Sequence, residues 1–266
     1  MWVSEEPAVR LENNWFLEGA VATDKRHLMV IGAHAMDAEC MAGAVAARYA
    51  SQGHRVTMVH LTRGERGHPS KPPEVFAAQL EEEMKLAAQE LGAGCIWLGF
   101  AAGALPGSDT LGKTIADLIR TERPDGIVTH WLGSWHPRHV ATHQSVLKGV
   151  KLAADPAYDP GGSRPWRVGE VLFGENCEDL NGFNPGVYID VSGYVDIWLA
   201  ALKKYELFRL DAVGGGPRPH QGIPYQSYYE AMVRVRGLEA GCRAAQAFMA
   251  CRRLADIFSP SPAFFF

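Results

Sequence analysis

Several features are scarce or missing in this chain of 266 residues, and each absence removes a class of protein. Its five cysteines are odd in number and form no Cys-x-x-Cys pair, which argues against a disulfide framework and against cysteine-bound zinc. No run approaches the ~20 apolar residues of a membrane span, and residues 1–14 hold acidic side chains without the apolar core of a signal peptide. We therefore expect a soluble, cytoplasmic protein with reduced thiols.

Long runs of like charge are also missing. The net charge of −4 comes from 26 basic and 30 acidic residues, and no basic stripe with interleaved aromatic residues is present. Nucleic-acid and anionic-membrane partners are therefore not indicated. The segment Gly32–His34 lacks the GxGxxG spacing that dinucleotide binding requires. We expect a small-molecule substrate instead.

Apolar runs alternate with segments of helical periodicity in the first half of the chain, which predicts a parallel sheet. Strands are predicted at Leu28–Gly32, Arg55–Leu61, Cys95–Phe100 and Gly126–Trp131, and helices at Glu39–Ser51, Glu74–Leu91 and Asp109–Arg123. Strands joined by helices of this length need right-handed crossovers. The fold class is thus a Rossmann-like, doubly wound α/β sheet in a single domain over residues 1–266, with its core at about 26–250.

The second half is expected to complete the same domain. The predicted elements are a helix from about His139 to Ala153, strands at Val168–Phe173 and Val187–Val191, a helix at Tyr194–Leu210 and a closing helix from Tyr225 to Ile257. The three glycines in Val213–His220 predict a mobile loop over a site. The terminal Ala263–Phe266 is either a disordered end or an apolar plug for a neighbouring subunit, which leaves homo-oligomerisation open.

Two histidine-bearing segments each follow a predicted strand. The first, Leu28–Glu39, contains His34 and Asp37, and the second runs from Gly126 to His139. Loops at the carboxyl ends of neighbouring parallel strands meet in one crevice, so these segments can place His34, Asp37 and His139 around one ion. Two imidazoles, one carboxylate and an open position are typical of a hydrolytic zinc site.

At these residues the chain resembles the LmbE/PIG-L family of zinc-dependent N-deacetylases, whose members carry His-Pro-Asp-Asp-x-Glu after the first strand and His-Pro-Asp-His later. Further similar segments are Leu61–Glu65, Phe183–Val191 and Arg236–Phe248, so the resemblance covers roughly residues 26 to 250. It implies a hydrolase of N-acyl substrates, N-acetylated amino sugars above all. The resemblance also implies one Zn²⁺ per chain on His34, Asp37 and His139, with His136 as the acid or oxyanion-stabilising group.

Two residues depart from the family pattern. Met36 stands where the family has the aspartate that acts as general base, and a thioether cannot take a proton from water. Arg138 replaces the aspartate that supports the neighbouring histidine. General base catalysis contributes about 10²–10⁴-fold, so the resemblance predicts a deacetylase of reduced activity. The alternative is a metal-binding pseudoenzyme that binds a sugar or an anionic ligand without turnover.

Several residue roles stay open at this level. His143 lies one helical turn beyond His139 and competes as the third ligand, while Asp37 is also placed to cap the following helix. Arg138 is either a solvated loop residue or binds an anionic group, and its charge is expected to lower the pKa of His136. The candidate substrate contacts are Arg63, Glu65, Arg138 and His220.

Two further polar residues near the motifs are expected to be structural. His130, on the fourth predicted strand, is interpreted as a core or supporting histidine and not as a metal ligand. Glu39 lies half a helical turn beyond Asp37 and should point away from the ion, so it is not expected to replace the missing base.

Overall fold

The computed structural model describes residues 25–179, 181–210 and 224–251. Their seven strands form one sheet in the order β3-β2-β1-β4-β5-β7-β6. The strands are β1 (His27–Gly32), β2 (Arg55–Thr62), β3 (Gly94–Phe100), β4 (Gly126–His130), β5 (Glu170–Gly174), β6 (Val187–Asp190) and β7 (Ala245–Ala250). Strands β1 to β5 pair in parallel, and β7 runs antiparallel to both β5 and β6. The predicted Rossmann-like, mainly parallel sheet is confirmed.

Helices cover both faces of the sheet. They are α1 (Asp37–Ser51), α2 (Pro73–Glu90), α3 (Ser108–Glu122), α4 (Pro137–Ala154), α5 (Val195–Leu202), α6 (Glu206–Arg209) and α7 (Tyr225–Ala240). Successive side chains of a strand point to opposite faces, and β1 shows the result: Leu28 and Val30 join one core cluster, while Met29 and Ile31 join the other. Both faces of β1 are therefore buried, as expected of the centre of a parallel sheet.

The predicted closing helix from Tyr225 to Ile257 is wrong. Helix α7 ends at Ala240 because Gly241 takes a left-handed φ of 72°, which glycine adopts without a steric penalty. The chain then turns back as β7, inserted between β5 and β6. The side chain of Gln246 accepts a hydrogen bond from Val45 N (2.9 Å) and donates one to the Cys40 carbonyl, which bridges a break in α1. Contacts distant in sequence thus override the helical propensity of this alanine-rich segment.

The single helix predicted over Tyr194–Leu210 is also wrong, because α5 and α6 are separate. Tyr205 has an extended backbone, with φ −76° and ψ 126°, and its side chain is buried in the core between them. The predicted loop Val213–His220 and the terminal Ala263–Phe266 lie outside the described residues. None of the helices in the described ranges combines the length and apolar character needed to cross a bilayer.

Candidate active site

The candidate site lies where the parallel strands end. Strands β1 and β4 are neighbours with Ile31 opposite Thr129, so the loops that follow them leave the sheet side by side. The first loop leads into α1, and the second passes through His136 into α4. This arrangement is the crevice in which open α/β sheets bind their ligands.

His34, Asp37 and His139 come together in this crevice. Each offers one ligand atom, and these atoms lie within 4.8 Å of one another. The carboxylate oxygen Oδ2 of Asp37 lies 3.1 Å from His34 Nδ1 and 3.3 Å from His139 Nε2. His34 Nε2 is buried and has no hydrogen-bond partner among the described residues. An unpartnered buried nitrogen beside a carboxylate and a second imidazole is a donor set that fits a divalent metal ion.

Histidines surround Asp37 on several sides. His130, the last residue of β4, accepts a hydrogen bond from Ala33 N (3.0 Å) and lies 3.3 Å from Asp37 Oδ2, stacked on His139. Burial opposes ionisation of Asp37, but His139, His130 and His34 together hold the pKa of its carboxyl well below the usual value. Burial and His130 lower the pKa of His139 to about 3. The site therefore presents an ionised carboxylate and a neutral imidazole.

Met36 occupies a strained corner next to Asp37. Its φ of 78° is left-handed, a conformation that Gly, Asn and Asp tolerate and that costs other residues about 1–2 kcal/mol. Its partly buried side chain packs against the core cluster below α1. Met36 is the N-cap residue of α1 and makes no side-chain cap bond, so the alternative in which Asp37 caps this helix is wrong. The backbone at position 36 is better suited to aspartate than to methionine.

His136 lies beside the candidate ligands as the N-cap residue of α4. Its ring is centred 4.9 Å from that of His34 and 4.7 Å from that of His139, and its Nδ1 accepts a hydrogen bond from Arg138 N. Burial, followed by His139 and His34, lowers the pKa of His136 to about 4, and Arg138 contributes in the same direction. The predicted direction of the shift is confirmed, although burial is the larger cause. His136 is thus a neutral imidazole at pH 7.

Glu178, which the sequence analysis missed, contacts His139 from the loop after β5. Its Oε2 lies 3.2 Å from His139 Nδ1, and Ser134 Oγ lies 3.1 Å from the same nitrogen. Burial, with the charges of Asp37 and Asp179, raises the pKa of Glu178 to about 8. Glu175, Glu178 and Asp179 follow the predicted strand Val168–Phe173 closely, and this acidic cluster at a strand end is the sequence pattern that could have indicated a site residue here.

His143 is not part of the candidate ligand group. Its Nδ1 contacts the carbonyl oxygen of His130 at 2.9 Å, and its ring packs against Phe173. The geometry therefore favours His139 over His143 as the third ligand. Burial lowers the pKa of His143 as well.

A second buried pair, Glu39 and His60, lies behind the site. Both side chains are fully buried, with Glu39 Oε1 3.3 Å from His60 Nε2. His60 Nδ1 lies 3.2 Å from the carbonyl oxygen of His34. Although burial opposes a charged imidazole, Glu39 holds the pKa of His60 well above its usual value. Glu39 thus supports the first loop from below, and His60 is a supporting residue that the sequence analysis missed.

The predicted substrate contacts divide into engaged and open side chains. The Arg63 guanidinium pairs with Glu81 and stacks on Trp97. Glu65 is buried and accepts a hydrogen bond from Ala102 N (2.7 Å), which joins the loops after β2 and β3. The side chain of Arg138 is half-buried and has no polar partner among the described residues, while His220 lies outside them.

Comparison with known proteins gives these residues a context. The PIG-L family model, described as GlcNAc-PI de-N-acetylase, matches residues 29–150. The 1D-myo-inositol 2-acetamido-2-deoxy-alpha-D-glucopyranoside deacetylase of Kineococcus radiotolerans is 30% identical over 80% of this chain and 79% of its own length. Alignments with three further curated relatives span 64, 60 and 58% of those proteins.

Solved structures with lower identity share the fold. The N,N'-diacetylchitobiose deacetylase of Pyrococcus horikoshii is 19% identical, with a TM-score of 0.73 over 96% of this chain and 95% of its own. The 4-carboxy-2-hydroxymuconate hydratase of Pseudomonas putida is 20% identical, with a TM-score of 0.72 over 85% of this chain and 96% of its own. One fold thus serves two reactions, and the alignment with the Kineococcus deacetylase, together with the family match across both histidine segments, assigns this chain to the PIG-L/LmbE deacetylase family.

Proposed function

We propose that this protein is a zinc-dependent hydrolase that removes the acyl group from N-acetylated amino sugars. The observation that carries the proposal is the convergence of His34, Asp37 and His139, with the buried Nε2 of His34 lacking a hydrogen-bond partner among the described residues. The deacetylase names of the relatives support the choice of substrate. When bound, zinc would polarise the amide carbonyl and lower the pKa of its bound water.

His139 is held for this role from its far side. Its Nδ1 faces Glu178 Oε2 and Ser134 Oγ, while its Nε2 faces Asp37. A proton on Nδ1 directed at Glu178 leaves Nε2 free as a ligand atom. In this chain Glu178 therefore takes the supporting role that Arg138 cannot fill.

His136 is proposed to stabilise the developing oxyanion as a neutral donor. Its Nδ1 accepts the hydrogen bond from Arg138 N, so the proton of the neutral imidazole resides on Nε2. A neutral imidazole N–H fixed beside the ligand group can donate a hydrogen bond to the substrate oxygen without first gaining a proton.

Proton transfer from water is the weak step of the proposed reaction. Met36 has no proton-accepting group, and Asp37 is surrounded by histidines. We therefore propose turnover about 10²–10⁴-fold below that of an otherwise equal site with a general base. The second candidate is a metal-binding protein that holds its ligand without turnover. The presence of Met36 and Arg138 in place of the family's two aspartates favours this candidate.

One experiment separates these candidates. Purified protein is analysed for bound metal and then assayed with added zinc for release of free amine from a panel of N-acetylated sugars. The hydrolase proposal predicts slow amine release that Asp37→Ala abolishes. If zinc binds but no sugar releases amine, in an assay sensitive to about one turnover per hour, the hydrolase is rejected and the metal-binding pseudoenzyme is supported.

A further inference from the structure

Two arginines beside the candidate site direct their guanidinium groups to one place, and neither forms an ion pair with a described residue. Arg66 lies on the loop after β2, and Arg138 lies in the first turn of α4. A Cβ built on Gly103 would lie 3.5 Å from Arg66 Nη1 and 3.5 Å from Arg138 Nη2, so the two nitrogens are within twice that distance of each other. Neither guanidinium has a carboxylate or carbonyl partner in the described part of the chain.

Buried contacts hold the loop that both arginines approach. Glu65, next to Arg66, is buried and accepts a hydrogen bond from Ala102 N, which joins the loops after β2 and β3. Gly103 follows with a φ of 92°, a conformation that favours glycine. The guanidiniums of the exposed Arg66 and the half-buried Arg138 thus both lie beside Gly103, and neither is paired with an acidic side chain of the described ranges.

The position of Arg138 is unusual for its helix. The first turn of α4 contains no acidic residue and has Arg138 instead, at the end of the helix where the backbone dipole favours negative charge. The N-cap residue of α4 is His136, whose ring borders the candidate ligand group. A bound anion at this place would offset both guanidiniums and the positive end of the helix dipole.

From these contacts we propose that Arg66 and Arg138 form a subsite for the anionic group of the substrate, a phosphate or a carboxylate. The inference rests on the proposed function and narrows its substrate to an N-acylated amino sugar that carries such a group. Guanidinium groups bind both anions through paired N–H donors, so the chemistry is shared by the two. The arms of the test distinguish phosphate from carboxylate.

The test is equilibrium binding to the zinc-loaded protein by isothermal titration calorimetry. The probes are N-acetylglucosamine, its 1-phosphate and 6-phosphate, and N-acetylmuramic acid, which carries a carboxylate. We expect at least one anionic sugar to bind about tenfold or more tightly than the neutral sugar, which is the worth of one charge-assisted hydrogen bond. Arg66→Gln and Arg138→Gln should each reduce this preference, and the double variant should abolish it.

A matched control removes the same charge elsewhere. Arg55→Gln changes an arginine that pairs with Glu122 at the amino-terminal end of β2, away from the candidate site. This variant should leave the preference for anionic sugars unchanged. Equal affinity of the wild-type protein for neutral and anionic sugars would overturn the subsite, as would an equal loss of preference in Arg55→Gln.

Amine release measured in parallel keeps the two proposals apart. An arginine-dependent preference in binding without amine release from any probe supports the subsite and rejects hydrolysis. Amine release with the same kcat/KM for neutral and anionic sugars rejects the subsite and retains hydrolysis.

Discussion

The histidines near the two ends of β1 differ in their hydrogen-bond partners. At the amino end, His27 is buried with both ring nitrogens engaged: Nδ1 lies 2.9 Å from the Glu122 carbonyl oxygen and Nε2 lies 2.8 Å from Thr57 Oγ1. At the carboxyl end, His34 is held by Asp37 through Nδ1, while its buried Nε2 has no partner in the described ranges. These two histidines thus differ in their partners: both ring nitrogens of His27 are engaged, whereas His34 keeps one nitrogen available beside the Asp37 carboxylate and His139.

Arginines at the two ends of the strands also differ in whether they are paired. At the amino-end edge, Arg55 pairs with Glu122 and Arg26 lies 3.6 Å from Asp125. At the carboxyl ends of the strands, Arg66 and Arg138 approach each other, and neither forms an ion pair in the described part of the chain. Open polar groups therefore collect on the side of the sheet where α/β folds bind ligands.

The largest expected effect comes from restoring a base at the carboxyl end. Met36→Asp should raise kcat/KM for an N-acetylated sugar by about 10²–10⁴-fold, because it provides a proton acceptor next to Asp37. The left-handed backbone at position 36 tolerates aspartate, so the variant should fold at least as stably as the wild-type protein. Steady-state kinetics at constant zinc content measures the gain.

A double variant sharpens this result. Arg138 can lower the pKa of a new carboxylate and weaken it as a base, so Met36→Asp with Arg138→Asp tests whether the gain is masked. If the wild-type protein already turns over several times per second and both variants are slower, the missing carboxylate at position 36 does not limit the reaction.

The next effect concerns the support of His139. Glu178→Gln replaces the carboxyl group that faces His139 Nδ1 with an amide, and we expect zinc affinity to fall about 10–100-fold, the usual effect of losing such a partner. Competition with a chelator measures the affinity. Asp179→Asn, a neighbouring change in the same loop, should retain most of it, and equal losses in both variants would indicate general disruption of the loop.

A smaller effect is expected at the amino end. His27→Ala leaves Thr57 and the Glu122 carbonyl without their partner, so it should lower the free energy of unfolding by about 1–3 kcal/mol while zinc binding persists. Urea denaturation followed by circular dichroism measures the loss. If folded His27→Ala protein contained less zinc than the wild-type protein, the proposed separation between a structural His27 and a metal-binding His34 would be contradicted.

The smallest effect is a change in pH dependence. Burial lowers the pKa of His27 below the usual value of about 6.5, so between these two values the unfolded chain binds more protons than the folded one. The stabilisation by neutral His27 is thus complete above pH 6.5 and is lost as the pH falls. Denaturation at pH 5 to 8 should therefore give a shallower acid loss for His27→Ala than for the wild-type protein.

The sequence predicted the parts of the molecule that follow from local periodicity. Each of β1 to β4 is an apolar run bounded by a helix, and parallel pairing alone brings the loops after β1 and β4 together. The meeting of His34, Asp37 and His139 follows from that geometry. Their role as zinc ligands stays a prediction.

The parts that it missed depend on contacts between distant segments. Strand β7 forms because the hydrogen bond from Val45 N to the Gln246 side chain and the pairing with β5 outweigh the helical propensity of this segment. Glu178 reaches His139 from a loop after β5 that contains no metal-binding spacing. No local pattern reveals which arginines lack a partner, so the convergence of Arg66 and Arg138 emerges only from the fold.

The measurement that tests the metal centre most directly is the zinc content of the wild-type protein and four variants after dialysis, determined by mass spectrometry of the metal. Wild-type protein, His27→Ala and His143→Ala should each retain about one zinc ion per chain, and His34→Ala and His139→Ala should lose most of it. Full zinc in His139→Ala together with its loss in His143→Ala would contradict the account.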